Sequence, residues 1–143
     1  MYSEKPWLWR RQSHHRLGSL RTISLDVTAR CNMNCPRCYA STFRAAKPVG
    51  LDILRQFFDE AYELGVFHYV LQGGEPITDM PRLEAILQMC HPNESYINVV
   101  SNGWAMTIDR IRKLKCLKVD KIAYSLDSGI AGEQDLIMVD LEQ

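Results

Sequence analysis

The sequence predicts an α/β fold, a parallel sheet of about four strands with helices on its outer face. Three observations lead there. Short runs rich in β-branched and aromatic residues alternate with longer segments of helical spacing, strand then helix three times over, followed by a closing strand. Most of the helical segments open at a residue suited to cap them. The four unusual polar stretches, RCNMNCPRC, GGEP, SNG and SLD, each sit at the end of a predicted strand. Right-handed crossovers point the C-terminal ends of all such strands the same way, to the edge where α/β sheets collect ligand groups.

Taken in order, residues 22–28 alternate Ile23, Leu25 and Val27 with polar neighbours, the period of a strand. The cysteine-rich stretch leaves its end as a loop. Gly50 then opens a helix in which Leu51, Leu54, Phe57, Phe58, Ala61, Tyr62 and Leu64 keep helical spacing, and Gly65 closes it. Residues 66–72 are mostly apolar and are expected as a strand buried on both faces, with His68 a hydrogen-bonded core histidine. Asp79 and Pro81 read as the cap and first turn of a helix reaching Cys90, with Leu83, Ile86 and Leu87 inward. Residues 96–100 form a third strand. Thr107 caps a helix over 108–116 whose inner side is Ile108, Ile111 and Leu114, and whose Lys113 and Lys115, with Lys118 beyond, face solvent. Residues 119–127 form the fourth strand, leaving Ile122, Tyr124 and Leu126 on an open apolar edge. The segment 129–143 is a tail with one short helix or strand.

Composition bounds the function. With 143 residues, 46% apolar and 24% charged, the chain has the makeup of one globular domain, and its formal net charge is zero. Neither nucleic acid nor an anionic membrane is called for. The one imbalance is a basic arm over residues 1–21, with Lys5, Arg10, Arg11, Arg16 and Arg21 against Glu4, which is expected to pack Trp7 and Trp9 on the domain and to leave His14 and His15 solvated. It lacks the apolar run of a secretory signal, and no apolar stretch is long enough to cross a membrane. Five cysteines without an export signal point to a reducing, cytoplasmic setting and to metal or redox use. Cys90 and Cys116 end helices and are expected to behave as small apolar residues.

Cys31, Cys35 and Cys38 occupy an odd number of positions for a closed site, since structural zinc and ordinary clusters take four protein ligands. Turns at residues 32–34 and at Pro36 gather the three thiols, and thiolates suit either zinc or an iron–sulfur cluster. The residues alone leave both open: a zinc-binding structural domain, or a non-catalytic cluster-binding fragment.

The pair of motifs, Cys31-x3-Cys35-x2-Cys38 after a first strand and Gly73-Gly74-Glu75-Pro76 after a second, resembles the radical S-adenosylmethionine (SAM) superfamily. The likeness spans roughly residues 20–130. In wording it is nearest the group holding molybdenum-cofactor cyclases, nitrogenase-cofactor proteins and peptide-modifying enzymes. The resemblance implies a partial, TIM-barrel-like (β/α) barrel, truncated after its fourth strand, with the arm at 1–21, the core at 22–128 and the tail at 129–143. It implies that Cys31, Cys35 and Cys38 hold three irons of a [4Fe–4S] cluster whose fourth iron takes SAM. It implies SAM contacts from Gly73, Gly74, Glu75 and Pro76 and, further along the rim, from Ser101, Asn102, Ser125 and Asp127. Arg37 and Tyr39 flank the third cysteine. Activity on this model is reductive cleavage of SAM to a 5′-deoxyadenosyl radical that takes hydrogen from a substrate, with a flavodoxin or ferredoxin as one-electron donor. The substrate, peptide or small molecule, and any residue acting on it stay unassigned.

Overall fold

The structure is a computed structural model and describes residues 20–138. The basic arm before residue 20, with Trp7, Trp9, His14 and His15, lies outside the described residues, as does 139–143. Four strands, β1 (Thr22–Thr28), β2 (His68–Gly73), β3 (Tyr96–Ser101) and β4 (Lys121–Tyr124), form one sheet in the order β1-β2-β3-β4. Every pairing is parallel, with Leu25, Leu71, Val99 and Ile122 in one register row. The connecting helices are α1 (Leu51–Glu63), α2 (Met80–Met89) and α3 (Ile108–Cys116), and a short α4 (Ala131–Ile137) follows β4.

The helix boundaries have local causes. Asp79 accepts from the Arg82 backbone N–H at 3.4 Å and Thr107 from that of Arg110 at 3.3 Å, so both starts are capped by side chains of the expected kind. Gly65 ends the first helix with a positive φ of 86°, a left-handed turn that glycine adopts without a Cβ clash. Apolar side chains then pack against one face of the sheet. Phe58, Leu83, Ile86, Leu87 and Leu114 from the helices meet Tyr69, Leu71, Ile97 and Val99 from the strands, all fully buried. The ring of Phe58 lies 5.2 Å from that of Tyr69.

Several expectations are corrected here. The strand after the first helix is buried on one face only: Tyr69 and Leu71 enter the core, while His68, Val70 and Gln72 are half-buried on the other. Helices cover a single face, so strand alternation reappears where a continuous apolar run had suggested double burial. His68 is therefore no core residue. It lies on the open face, bonded to the Thr22 hydroxyl at 3.2 Å and edge-on to Tyr96, and burial and the Lys121 charge lower its pKa. The fourth strand spans only Lys121–Tyr124, because the backbone N–H groups of Asp127 and Ser128 turn to the Gln134 side chain instead of a neighbouring strand. Of the two remaining cysteines, Cys90 is a core residue but Cys116 is exposed at the end of α3, and Ile108 and Ile111 of that helix are exposed as well. That leaves Leu114 as the one buried residue of α3. Ile122 packs against the core, whereas Tyr124 and Leu126 on the β4 side are open, at 50% and 71% exposure.

Candidate functional site

The loop leaving β1 carries the three thiols. Its start is fixed when the Arg30 backbone N–H donates to the Thr28 hydroxyl at 3.1 Å. The Met33 N–H donates to Cys31 Sγ at 3.3 Å, and the Cys38 N–H to the Cys35 carbonyl at 3.2 Å, which are the two turns the spacing predicted. All three thiols are free and partly exposed. Burial raises the pKa of Cys31; the Glu75 and Cys35 charges add to the rise, while the Met33 N–H and the Arg44 guanidinium oppose it.

Gly73 and Gly74 meet this loop at very close range. The Gly74 N–H donates to the Thr28 carbonyl at 2.7 Å and the Glu75 N–H to the Arg30 carbonyl at 2.7 Å. A Cβ on Gly74 would stand 2.1 Å from the Arg30 carbonyl oxygen, and one on Gly73, at φ 124°, 2.7 Å from that of Thr28. Glycine is thus required here by the chain's own backbone.

Glu75 is fully buried. Its Oε1 accepts from the Ile77 N–H and from the Ser101 hydroxyl, each at 3.0 Å, and its Oε2 from the Asn102 N–H at 2.6 Å. The carboxylate ties the end of β2 to the end of β3. Asn102 in turn reaches the cysteine loop: its Nδ2 lies 2.9 Å from Asn32 Oδ1 and 3.8 Å from Cys31 Sγ.

The strand ends enclose a cavity of about 1090 Å³, at the large end for small-molecule sites. Its lining draws on every element expected at the rim: Cys31, Cys35 and Cys38; Gly73 and Gly74; Ser101 and Asn102; Ser125 and Asp127. Arg37 and Tyr39 line it too. Glu75 and Pro76 do not; both are buried behind the wall, Pro76 opening a 3₁₀ turn (Pro76–Asp79). Of the residues expected on the rim, those two shape the site from outside the cavity.

Several contributors were not marked as site residues by the sequence. Arg82 clamps the β1 end, donating from Nε to the Val27 carbonyl at 2.6 Å and from Nη2 to that of Val49 at 2.7 Å. Tyr39 donates to Asp26 at 3.1 Å, and burial together with that carboxylate pushes its phenol up to about 12. Leu136, Ile137 and Met138 bring α4 over the cavity, with the Met138 thioether 3.6 Å from Cys35 Sγ. Gln134 holds that helix end in place through the 127–128 backbone.

The donor chemistry suits an anionic, sulfur-rich group. Asn32 Nδ2 and Arg44 Nε and Nη2 are buried without hydrogen-bond partners among the described residues, an uncommon state for donors, and they belong to the loop and the turn that follow the first thiol. Among the described residues, no three His, Cys, Asp or Glu side chains are gathered tightly enough to hold a single metal ion.

Comparison with known proteins agrees with this geometry. The family model described as "Radical SAM superfamily" matches residues 25–129. Similar sequences include a GTP 3′,8-cyclase of Synechococcus sp. strain CC9902, 34% identical over 83% of this chain and 35% of the relative. They also include a PqqA peptide cyclase of Methylocella silvestris, 32% identical over 78% and 30%. An AdoMet-dependent heme synthase of Methanosarcina barkeri is 29% identical over 80% and 33%. Each is an enzyme, and this chain spans about a third of the length of these relatives. The crystal structure of Streptococcus suis SuiB bound to the precursor peptide SuiA shares the fold, with a TM-score of 0.70 at 16% identity over 94% of this chain and 30% of that one. With a partial parallel α/β architecture, the paired motifs at successive strand ends and a family match over most of its length, the chain belongs to the radical SAM superfamily.

Proposed function

We propose that this chain is the cofactor-binding part of a radical SAM enzyme, with Cys31, Cys35 and Cys38 holding a [4Fe–4S] cluster and the cavity behind them accepting SAM. One observation carries the reading: three free thiols, with orphaned donors in the adjoining segment, line one wall of a cavity that all four strand ends enclose. When bound, the two groups supply one-electron reductive cleavage of the sulfonium and a 5′-deoxyadenosyl radical that takes hydrogen from a substrate.

The chain's own residues supply position and environment. The backbone of Gly73 and Gly74 forms the cavity wall beside the cysteine loop and offers polar groups to an amino acid moiety. Ser101, Asn102, Ser125 and Asp127 extend polar contacts along the rim toward a ribose and carboxylate. Glu75 holds Ser101 and Asn102 at their places. Leu136, Ile137 and Met138 present an apolar flank that limits water near Cys35. A flavodoxin- or ferredoxin-type protein is the proposed electron donor, the cytoplasm the proposed setting, and a peptide or small molecule the proposed substrate. No helix among the described residues is long and apolar enough to cross a membrane.

Anaerobic reconstitution of the chain tests the reading. It predicts about four irons per chain, an EPR signal that SAM perturbs, and 5′-deoxyadenosine formed under reductant; Cys35→Ala abolishes all three. Cluster uptake without any SAM response would indicate a non-catalytic cluster module, and stoichiometric zinc with no iron would overturn both.

A further inference from the structure

The three thiols stand in unequal surroundings. Cys31 Sγ accepts the Met33 N–H at 3.3 Å and has Asn102 Nδ2 at 3.8 Å, whereas the contact of Cys35 Sγ is the Met138 thioether at 3.6 Å. The Asn102 amide has only one consistent orientation. The Trp104 N–H points at one of its terminal atoms from 3.0 Å, and a backbone N–H can only donate, so that atom is the oxygen and the other is the NH₂ group facing Cys31 and Asn32. The amide is held from behind as well, since Glu75 Oε2 accepts the Asn102 backbone N–H at 2.6 Å.

Resting on the cluster reading above, we infer that Asn102 is a positioning residue that holds positive polarity at the Cys31 ligand and thereby raises the reduction potential of the bound cluster. The physical reason is that reduction adds negative charge to cluster and ligand sulfur, so donors and cations beside one ligand stabilise the reduced state more than the oxidised state. Asn102 acts by a hydrogen bond from a different strand end.

Potentiometric titration of the reconstituted chain, followed by EPR in the absence of SAM, tests this. Asn102→Asp is the informative variant, because it keeps the size of the side chain and an oxygen for the Trp104 N–H while replacing the donor toward Cys31 with an acceptor. The expected result is full iron content and a lower ratio of reduced to oxidised cluster at a given potential, up to about tenfold, which for one electron is a fall of about 59 mV. An Asn102→Asp chain with full iron and an unchanged potential overturns the role of Asn102. Should Asn102→Asp assemble no cluster, Asn102→Ala decides, with a fall supporting the inference and none refuting it. A wild-type chain that takes up no iron removes the reading beneath the inference, and the inference with it.

Discussion

The loop after β1 and the turn after β2 meet at one rim and are built in opposite ways. The first keeps three free thiols at a cavity wall, with buried donors that find no partner among the described residues. The second is closed on itself: Glu75 is fully buried with three donors on its two oxygens, and Gly73 and Gly74 have no room for a Cβ. Buried polar groups are ordinarily satisfied within the fold, so on the function proposed above the open set is the one that a ligand completes, while the closed set braces the rim.

Substitutions on the closed side should therefore cost stability before anything else. Glu75→Ala leaves three donors without an acceptor and is expected to lower unfolding free energy by about 4 kcal/mol, read from urea denaturation of the iron-free chain. Gly74→Ala forces a methyl group against the Arg30 carbonyl and is expected to cost about 3 kcal/mol in the same assay. A stability within about 0.5 kcal/mol of wild type for either variant would erase the contrast between the two regions.

On the open side the order reverses. Cys35→Ala should abolish iron uptake while changing the stability of the iron-free chain by about 0.5 kcal/mol or less. Cys90→Ala, which trims a core side chain, should cost about 1 kcal/mol and leave iron uptake intact. Chemical analysis of iron beside a denaturation curve separates the two.

A smaller effect concerns pH. Burial raises the pKa of both Cys90 and Cys31, so the folded chain keeps those protons where the unfolded chain has lost them. The contribution is full below the unfolded thiol pKa, about 8.5, and is lost as pH climbs through and beyond that value. Denaturation of the iron-free chain should show stability falling above that point, and Cys90→Ala should remove the larger share of the slope, because Cys90 is buried and Cys31 only partly so. Iron uptake runs the other way, rising with pH, since each thiol must lose its proton to bind.

Much of the fold was legible because it rests on short-range rules. Strand alternation at Ile23, Leu25 and Val27 and the caps at Asp79 and Thr107 involve neighbours a few residues apart. The cysteine turns were legible for the same reason. What could not be read depends on contacts across the chain. The Glu75–Ser101 bond spans 26 residues and the Asn102–Cys31 contact 71, so nothing local told a buried brace from a ligand contact, or aimed Asn102 at a thiol. The glycines were expected to let backbone approach a ligand, and what the sequence did not show is that their missing Cβ also makes room for the carbonyls of Thr28 and Arg30. The open sheet face at His68 was hidden because an apolar run looks alike whether one or both faces are covered.

The central claim is that the open set at the β1 loop is completed by a cluster with one iron free for SAM. Mössbauer spectroscopy of the chain reconstituted with ⁵⁷Fe, recorded with and without SAM, measures that most directly. The account predicts a [4Fe–4S] spectrum in which SAM changes the parameters of about one iron in four and leaves the others in place. A spectrum indifferent to SAM, or a chain that binds iron equally well after Cys35→Ala, would contradict it.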